Sequence, residues 1–117
     1  MAIRRGASKP ADFREVATGR RLAPVHPGEV LLYDFIEPLG LSRYKVAKAM
    51  GVPQRRVDEV CAGMRAITAD TALRLARVFA TDAQIWLNLQ AQYDLEVAQR
   101  AHGRAIEREA TPLEAVA

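Results

Sequence analysis

Gln54, Arg55 and Arg56 follow Pro53 in an unbroken polar run, and Val57, Val60 and Cys61 come next at helical spacing. If those three apolar residues face a core, the opposite face of the same helix presents Gln54, Arg55, Asp58, Glu59 and Ala62. That face has a definite chemistry. Glutamine pairs with adenine edges and arginine with guanine edges, and a carboxylate can accept from cytosine, so the helix suits the major groove of DNA. The end that enters the groove is the N-terminal one, here Gln-Arg-Arg. Gln54, Arg55, Asp58 and Glu59 are therefore read as base-reading residues. Arg43, Tyr44 and Lys45 upstream, together with Arg56 and Arg65, are placed to hold phosphates.

No other constellation offers comparable chemistry. His26, His102 and Cys61 are scattered and cannot form a four-ligand zinc site, no nucleophile–base pair is visible, and no cofactor is expected. His26 opens the segment HPGE and reads as a helix-entry residue. Cys61, on the apolar side of its helix, reads as a small buried hydrophobe, and Trp86 as core. Arg74 and Arg77, three apart on a helix, read as solvated surface, with phosphate contact as the second reading. Asn88 and Gln90 beside a core either hydrogen-bond loop backbone or line a dimer contact.

The elements that position these residues are helices. No stretch alternates apolar and polar as a half-buried strand does. Pro27 and Glu29 open a first helix that buries Val30, Leu31 and Phe35 or Ile36 and stops before Pro38. Ser42 caps a second, with Val46, Ala47 and Met50 inward and Gly51 at its end. Pro53 starts the third, which ends at Gly63. Thr68 caps the fourth, whose inward residues are Ala72, Leu75, Ala76 and Phe79. Thr81 and Gln84 form a capping box for the fifth, with an apolar face of Ile85, Trp86, Leu89, Tyr93 and Val97 and a break at Gly103. The expected fold is all-α, five helices.

Residues 25–101 form that domain, with a helix-turn-helix at 42–62. A small residue at 47 lets one helix approach the next, Gly51 takes the turn, and Val57 and Val60 pin the second helix across the first. Any two-helix corner could carry that apolar pattern; the polar face of the third helix is what points to DNA. Residues 1–24, which include Gly6, Pro10, Gly19 and Pro24, read as a flexible arm that carries Arg4 and Arg5, with minor-groove or partner-protein contact by these two as the second reading. Residues 102–117 read as a tail.

With 117 residues, half of them hydrophobic, the chain can bury one modest core. Its single cysteine excludes an intramolecular disulfide and suits a reducing compartment, and no apolar stretch is long enough for a signal segment or a membrane span. A cytoplasmic protein is expected. The net charge of +3 is segregated: residues 41–80 carry eight Lys/Arg against three acids, whereas residues 26–40 carry Glu29, Asp34 and Glu37 and no base. A basic middle between acidic flanks suits a polyanion on one face and a different partner on another.

The motifs HPGE, AITADTALRLA and WLNLQAQYDL make residues 26–98 resemble the HigA (VapI) antitoxins, a branch of the phage-repressor-like helix-turn-helix proteins. The resemblance implies a homodimer that binds a palindromic operator, represses its own toxin–antitoxin operon, and neutralises a HigB-type mRNA-endonuclease toxin. Two positions depart from the family's habit, which often has asparagine at Asp58 and a base at Met64. Two other functions remain open on the residues alone: a helix-turn-helix regulator with no toxin partner, and a toxin-binding module that has lost its operator.

Overall fold

The computed structural model describes residues 23–114. The expected arm, but for its last two residues, lies outside them, as do Arg4 and Arg5. Among the described residues there are five helices and no strand. The first, α1, begins as Pro27–Val30 and runs on into a π-helical stretch, Leu31–Ile36; then come α2 (Arg43–Met50), α3 (Gln54–Cys61), α4 (Ala69–Phe79) and α5 (Ala83–Glu109).

Local chemistry sets most of the boundaries. Ser42 Oγ accepts from Lys45 N at 3.0 Å and Thr68 Oγ1 from Thr71 N at 3.3 Å, so both expected caps are in place. Gly51, at φ 76°, closes α2 in the left-handed conformation, with Val52 N donating back to Ala47 O. That bond turns the chain sharply into α3. The core joins Leu31 and Ile36 of α1, Val46, Ala47 and Met50 of α2, Val57 and Val60 of α3, Leu75 of α4 and Trp86 of α5.

The π-helical turn lies outside the sequence expectation. It sits just ahead of Pro38, which has no N–H for the carbonyl four residues back and whose ring would crowd it. With hydrogen bonds running five residues back, as from Glu37 N to Leu32 O, Leu31 and Ile36 fall on one face. Both are buried there.

Three expectations for α5 are corrected. Asp82, not Thr81, is the cap, its carboxylate accepting from Gln84 N at 2.9 Å. Thr81 instead accepts from the indole N–H of Trp86 at 2.9 Å. The buried line is Trp86 and Gln90, with Tyr93 half-buried, while Ile85 and Val97 are exposed. Gly103 ends nothing: α5 continues to Glu109, so residues 102–109 are helix rather than tail. One glycine costs a helix about 1 kcal/mol, which its alanine, arginine and glutamate neighbours offset.

His26 is a working cap as well as an entry residue. Its Nδ1 accepts from Gly28 N at 2.8 Å, and its ring meets that of Tyr93 edge-on at 4.8 Å. Burial disfavours the imidazolium and holds the pKa below the ordinary 6.5, against the fields of Glu29 and Asp94, which raise it. The unfolded chain therefore takes up the proton first. Stability is full above pH 6.5 and declines as the pH falls through that value toward the lower folded-state pKa. The urea midpoint is expected to drop between pH about 7.5 and about 5.5, and His26→Asn, which keeps a capping acceptor, should flatten that slope. Equal slopes in the two proteins would remove His26 as the cause.

Candidate nucleic-acid interface

The third helix places its polar residues as its apolar spacing requires. Val57 and Val60 are 1% exposed, so α3 is fixed against α1 and α2 with no freedom to roll. Gln54 and Arg55 stand at its first turn facing solvent, and the Arg55 side chain is 84% exposed. The expected base-reading residues Asp58 and Glu59 lie one turn on, on the same side and half-buried.

Their carboxylates are already engaged. Arg43, at the start of α2, reaches Asp58 at 3.6 Å. Glu59 accepts from Arg55 Nε through Oε2 at 3.1 Å, and from Arg65 through Oε1 at 2.8–2.9 Å. The hydrogen bonds from Arg65 and then Arg55 hold the Glu59 carboxyl below its ordinary pKa, so the ionised form is favoured. Gly63, at φ 76°, ends α3 and lets Met64 N donate to Glu59 O at 2.8 Å, which brings Arg65 back over the helix. Arg43, Arg55 and Arg65 thus share one surface with Gln54.

Of the remaining expected phosphate residues, Tyr44 and Lys45 are exposed on the first turn of α2. The ammonium of Lys48 lies 5.8 Å from the Tyr44 ring. Arg56 turns the other way. It pairs with Asp70 of α4 at 3.1 Å, and Asp70 in turn holds Arg74 at 2.7 Å. Arg74 also donates to the Met50 carbonyl at 2.8 Å, satisfying the C-terminus of α2. This bracing of the two-helix unit against α4 was not foreseen in the sequence, where Arg74 reads as surface; a cation one α4 turn beyond Asp70 was the available signal.

Gln90 settles one of the open alternatives by bonding loop backbone. Its Oε1 accepts from Ile67 N at 2.8 Å, which tethers the α3–α4 loop, and so the region of Arg65, to α5. Asn88 is exposed and accepts from Gln84. Cys61 is buried, and burial pushes its thiol pKa up, away from thiolate chemistry. Among the described residues no three His, Cys, Asp or Glu come together as metal ligands, and no helix is long and apolar enough to cross a membrane.

A helix pinned by its valines, presenting glutamine and arginine at its first turn with cations from the preceding helix and the following loop beside it, defines a repressor-like helix-turn-helix DNA-binding domain. The helix-turn-helix family matches residues 32–86. Virulence-associated protein I of Dichelobacter nodosus is 46% identical over 86 residues, 73% of this chain and 80% of that protein. Antitoxin HigA-1 of Vibrio cholerae is 38% identical over 72 residues, 62% of this chain and 68% of that one. The solved structure of Pseudomonas aeruginosa antitoxin HigA with the higBA promoter superposes with a TM-score of 0.75 at 42% identity, covering 77% of this chain and 98% of that one. The chain belongs to the HigA (VapI) family of helix-turn-helix antitoxins, which are DNA-binding proteins and not enzymes.

Proposed function

We propose that this protein is a cytoplasmic, dimeric repressor of its own operon that reads a palindromic operator through α3 and neutralises a HigB-type toxin encoded beside it. One observation carries the DNA half: Gln54 and Arg55 project from the first turn of a helix whose back is locked by Val57 and Val60. Arg55 and Gln54 read base edges, while Arg43, Tyr44, Lys45 and Arg65 meet phosphates on either side. The likeness to an antitoxin solved with its promoter supports this reading. Two copies place their recognition helices about 34 Å apart, one turn of DNA. The long α5 supports the dimer, since Leu95 and Ile106 are exposed along it and would be covered by a second copy.

The toxin half rests on family membership and on charge. Glu29, Asp34 and Glu37 are exposed on and just after α1, an acidic surface apart from the cationic one, and it suits a basic RNA-cleaving partner.

Titration of a duplex from upstream of its own gene, and of a scrambled duplex, tests the proposal. Arg55→Ala should lower operator preference roughly ten- to hundred-fold, as expected for one bidentate base contact, and leave toxin neutralisation in co-expressing cells intact. Lys45→Ala should weaken both duplexes together and lower the salt slope by about one. If Arg55→Ala weakens both duplexes equally, Arg55 is a phosphate residue and the docking of α3 is different. Operator binding without toxin neutralisation would leave a regulator with no toxin partner.

A further inference from the structure

We propose that Glu59 is a positioning residue for base recognition, which aims Arg55 at the groove and suppresses binding to non-operator DNA. The inference rests on the DNA-binding reading above and adds a role for an acid that faces a polyanion. An acid there is costly unless it does something that a neutral residue cannot.

The geometry says what that is. Glu59 spends both oxygens on arginines: Oε2 takes Arg55 Nε at 3.1 Å, and Oε1 takes Arg65 Nε and Nη2 at 2.9 and 2.8 Å. The Arg55 side chain is 84% exposed, whereas that of Glu59 is 26% exposed, so the acid is the anchored partner and the arginine the one being held. A long exposed arginine without such a hold samples many rotamers, and ordering it on DNA weakens binding. With Nε committed back along the helix, the two terminal nitrogens of Arg55 remain for a ligand. They form the forward edge of the guanidinium, and an arginine–guanine contact is two parallel hydrogen bonds to O6 and N7. Glu59 therefore selects the end-on approach.

The second effect is electrostatic. Arg55 and Arg65 bring two positive charges to this surface and Glu59 removes one. Affinity for random DNA comes almost wholly from phosphate neutralisation, so an acid at this place lowers it. Operator binding loses the same increment and regains it through the oriented base contact. Specificity is a difference of affinities, and Glu59 acts on both sides of it. The backbone of the same residue accepts from Met64 N in the turn that returns Arg65, so the turn and the ion pairs form together.

Glu59→Gln is the test, because it keeps the shape and removes the charge. Operator and scrambled duplexes are titrated with wild type, E59Q, Arg55→Ala and the double variant, at salt concentrations from about 50 to about 200 mM. E59Q is expected to bind the scrambled duplex several-fold tighter, with a salt slope steeper by about one, and to lose roughly ten-fold in operator preference. Once Arg55 is alanine, E59Q should cost little further preference, since the residue it aims is gone. A merely structural role would lower both affinities and leave the slope alone, which overturns the assignment. So does an unchanged preference, or losses that add fully in the double variant, the mark of Glu59 contacting a base itself. A wild type that does not distinguish the two duplexes overturns the DNA-binding reading and this assignment with it, whereas a discriminating wild type with an indifferent E59Q overturns this assignment alone.

Discussion

Alanine at position 28 is expected to cost about 3 kcal/mol of stability or more, a large share of the roughly 5–15 kcal/mol that keeps such a domain folded. A Cβ built on Gly28 would lie 1.7 Å from the carbonyl oxygen of Val60 and 2.6 Å from its carbon. Both are backbone atoms, so no rotamer change can make room. The glycine is there for space and not for an unusual φ, since Gly28 is absent from the positive-φ residues. It marks the point where α1 crosses α3 in near contact. Accommodating the methyl means lifting α1 away from α3, which uncovers Leu31 and Val60, each 1% exposed, and pulls on the His26 cap. With α3 as the proposed recognition helix, operator binding should go with the fold. Urea unfolding followed by far-ultraviolet circular dichroism measures the loss; a cost below about 1 kcal/mol would mean that α1 slides freely on α3, against the packing described here.

The same crossing shows what could and could not be read beforehand. HPGE announces a helix start, and His26, Pro27 and Glu29 behave as that reading requires, yet nothing local reveals that Gly28 meets the Val60 carbonyl across the fold. The polar face of α3 was legible because Val57, Val60 and Cys61 leave it only one orientation. Its ion pairs were not, because Arg65 reaches Glu59 only after Gly63 has reversed the chain. In α5 the difficulty was competition between neighbours. Thr81 and Asp82 can each cap a helix, and the choice went to Asp82 because Thr81 is taken by the Trp86 indole. The spacing Trp86, Gln90, Tyr93 fits the buried stripe better than one that begins at Ile85, but a glutamine does not by itself mark a core position. The π-helical turn in α1 left no mark beyond Pro38.

Trp86→Ala should be as damaging as Gly28→Ala, at about 3–5 kcal/mol, and for the opposite reason: it empties space where the glycine variant overfills it. Trp86 is 2% exposed, and its ring lies 5.3 Å from that of Phe35, which in turn lies 5.1 Å from Phe79. These three aromatics tie α1, α4 and α5 together at one point. The cost has two parts that a second variant separates. Trp86→Phe keeps much of the ring contact and drops the indole N–H, so Thr81 Oγ1 loses its donor at a cost of about 1 kcal/mol plus the smaller ring's lost contacts. The greater part of the alanine penalty is then packing. Trp86 and Gln90 are the buried residues of α5, so with the indole gone the helix keeps only the Gln90 hydrogen bond to the Ile67 amide, the Tyr93–His26 ring contact and the partly buried Ala83, Leu87 and Leu89. The α3–α4 loop that carries Arg65 shares that hold, and loosening it should weaken operator binding in whatever fraction stays folded. Circular dichroism in urea reads the stability, since this is the chain's single tryptophan and its fluorescence disappears with it. A penalty below about 2 kcal/mol would show that the site collapses around the missing ring and that α5 is held by something other than the aromatic contact.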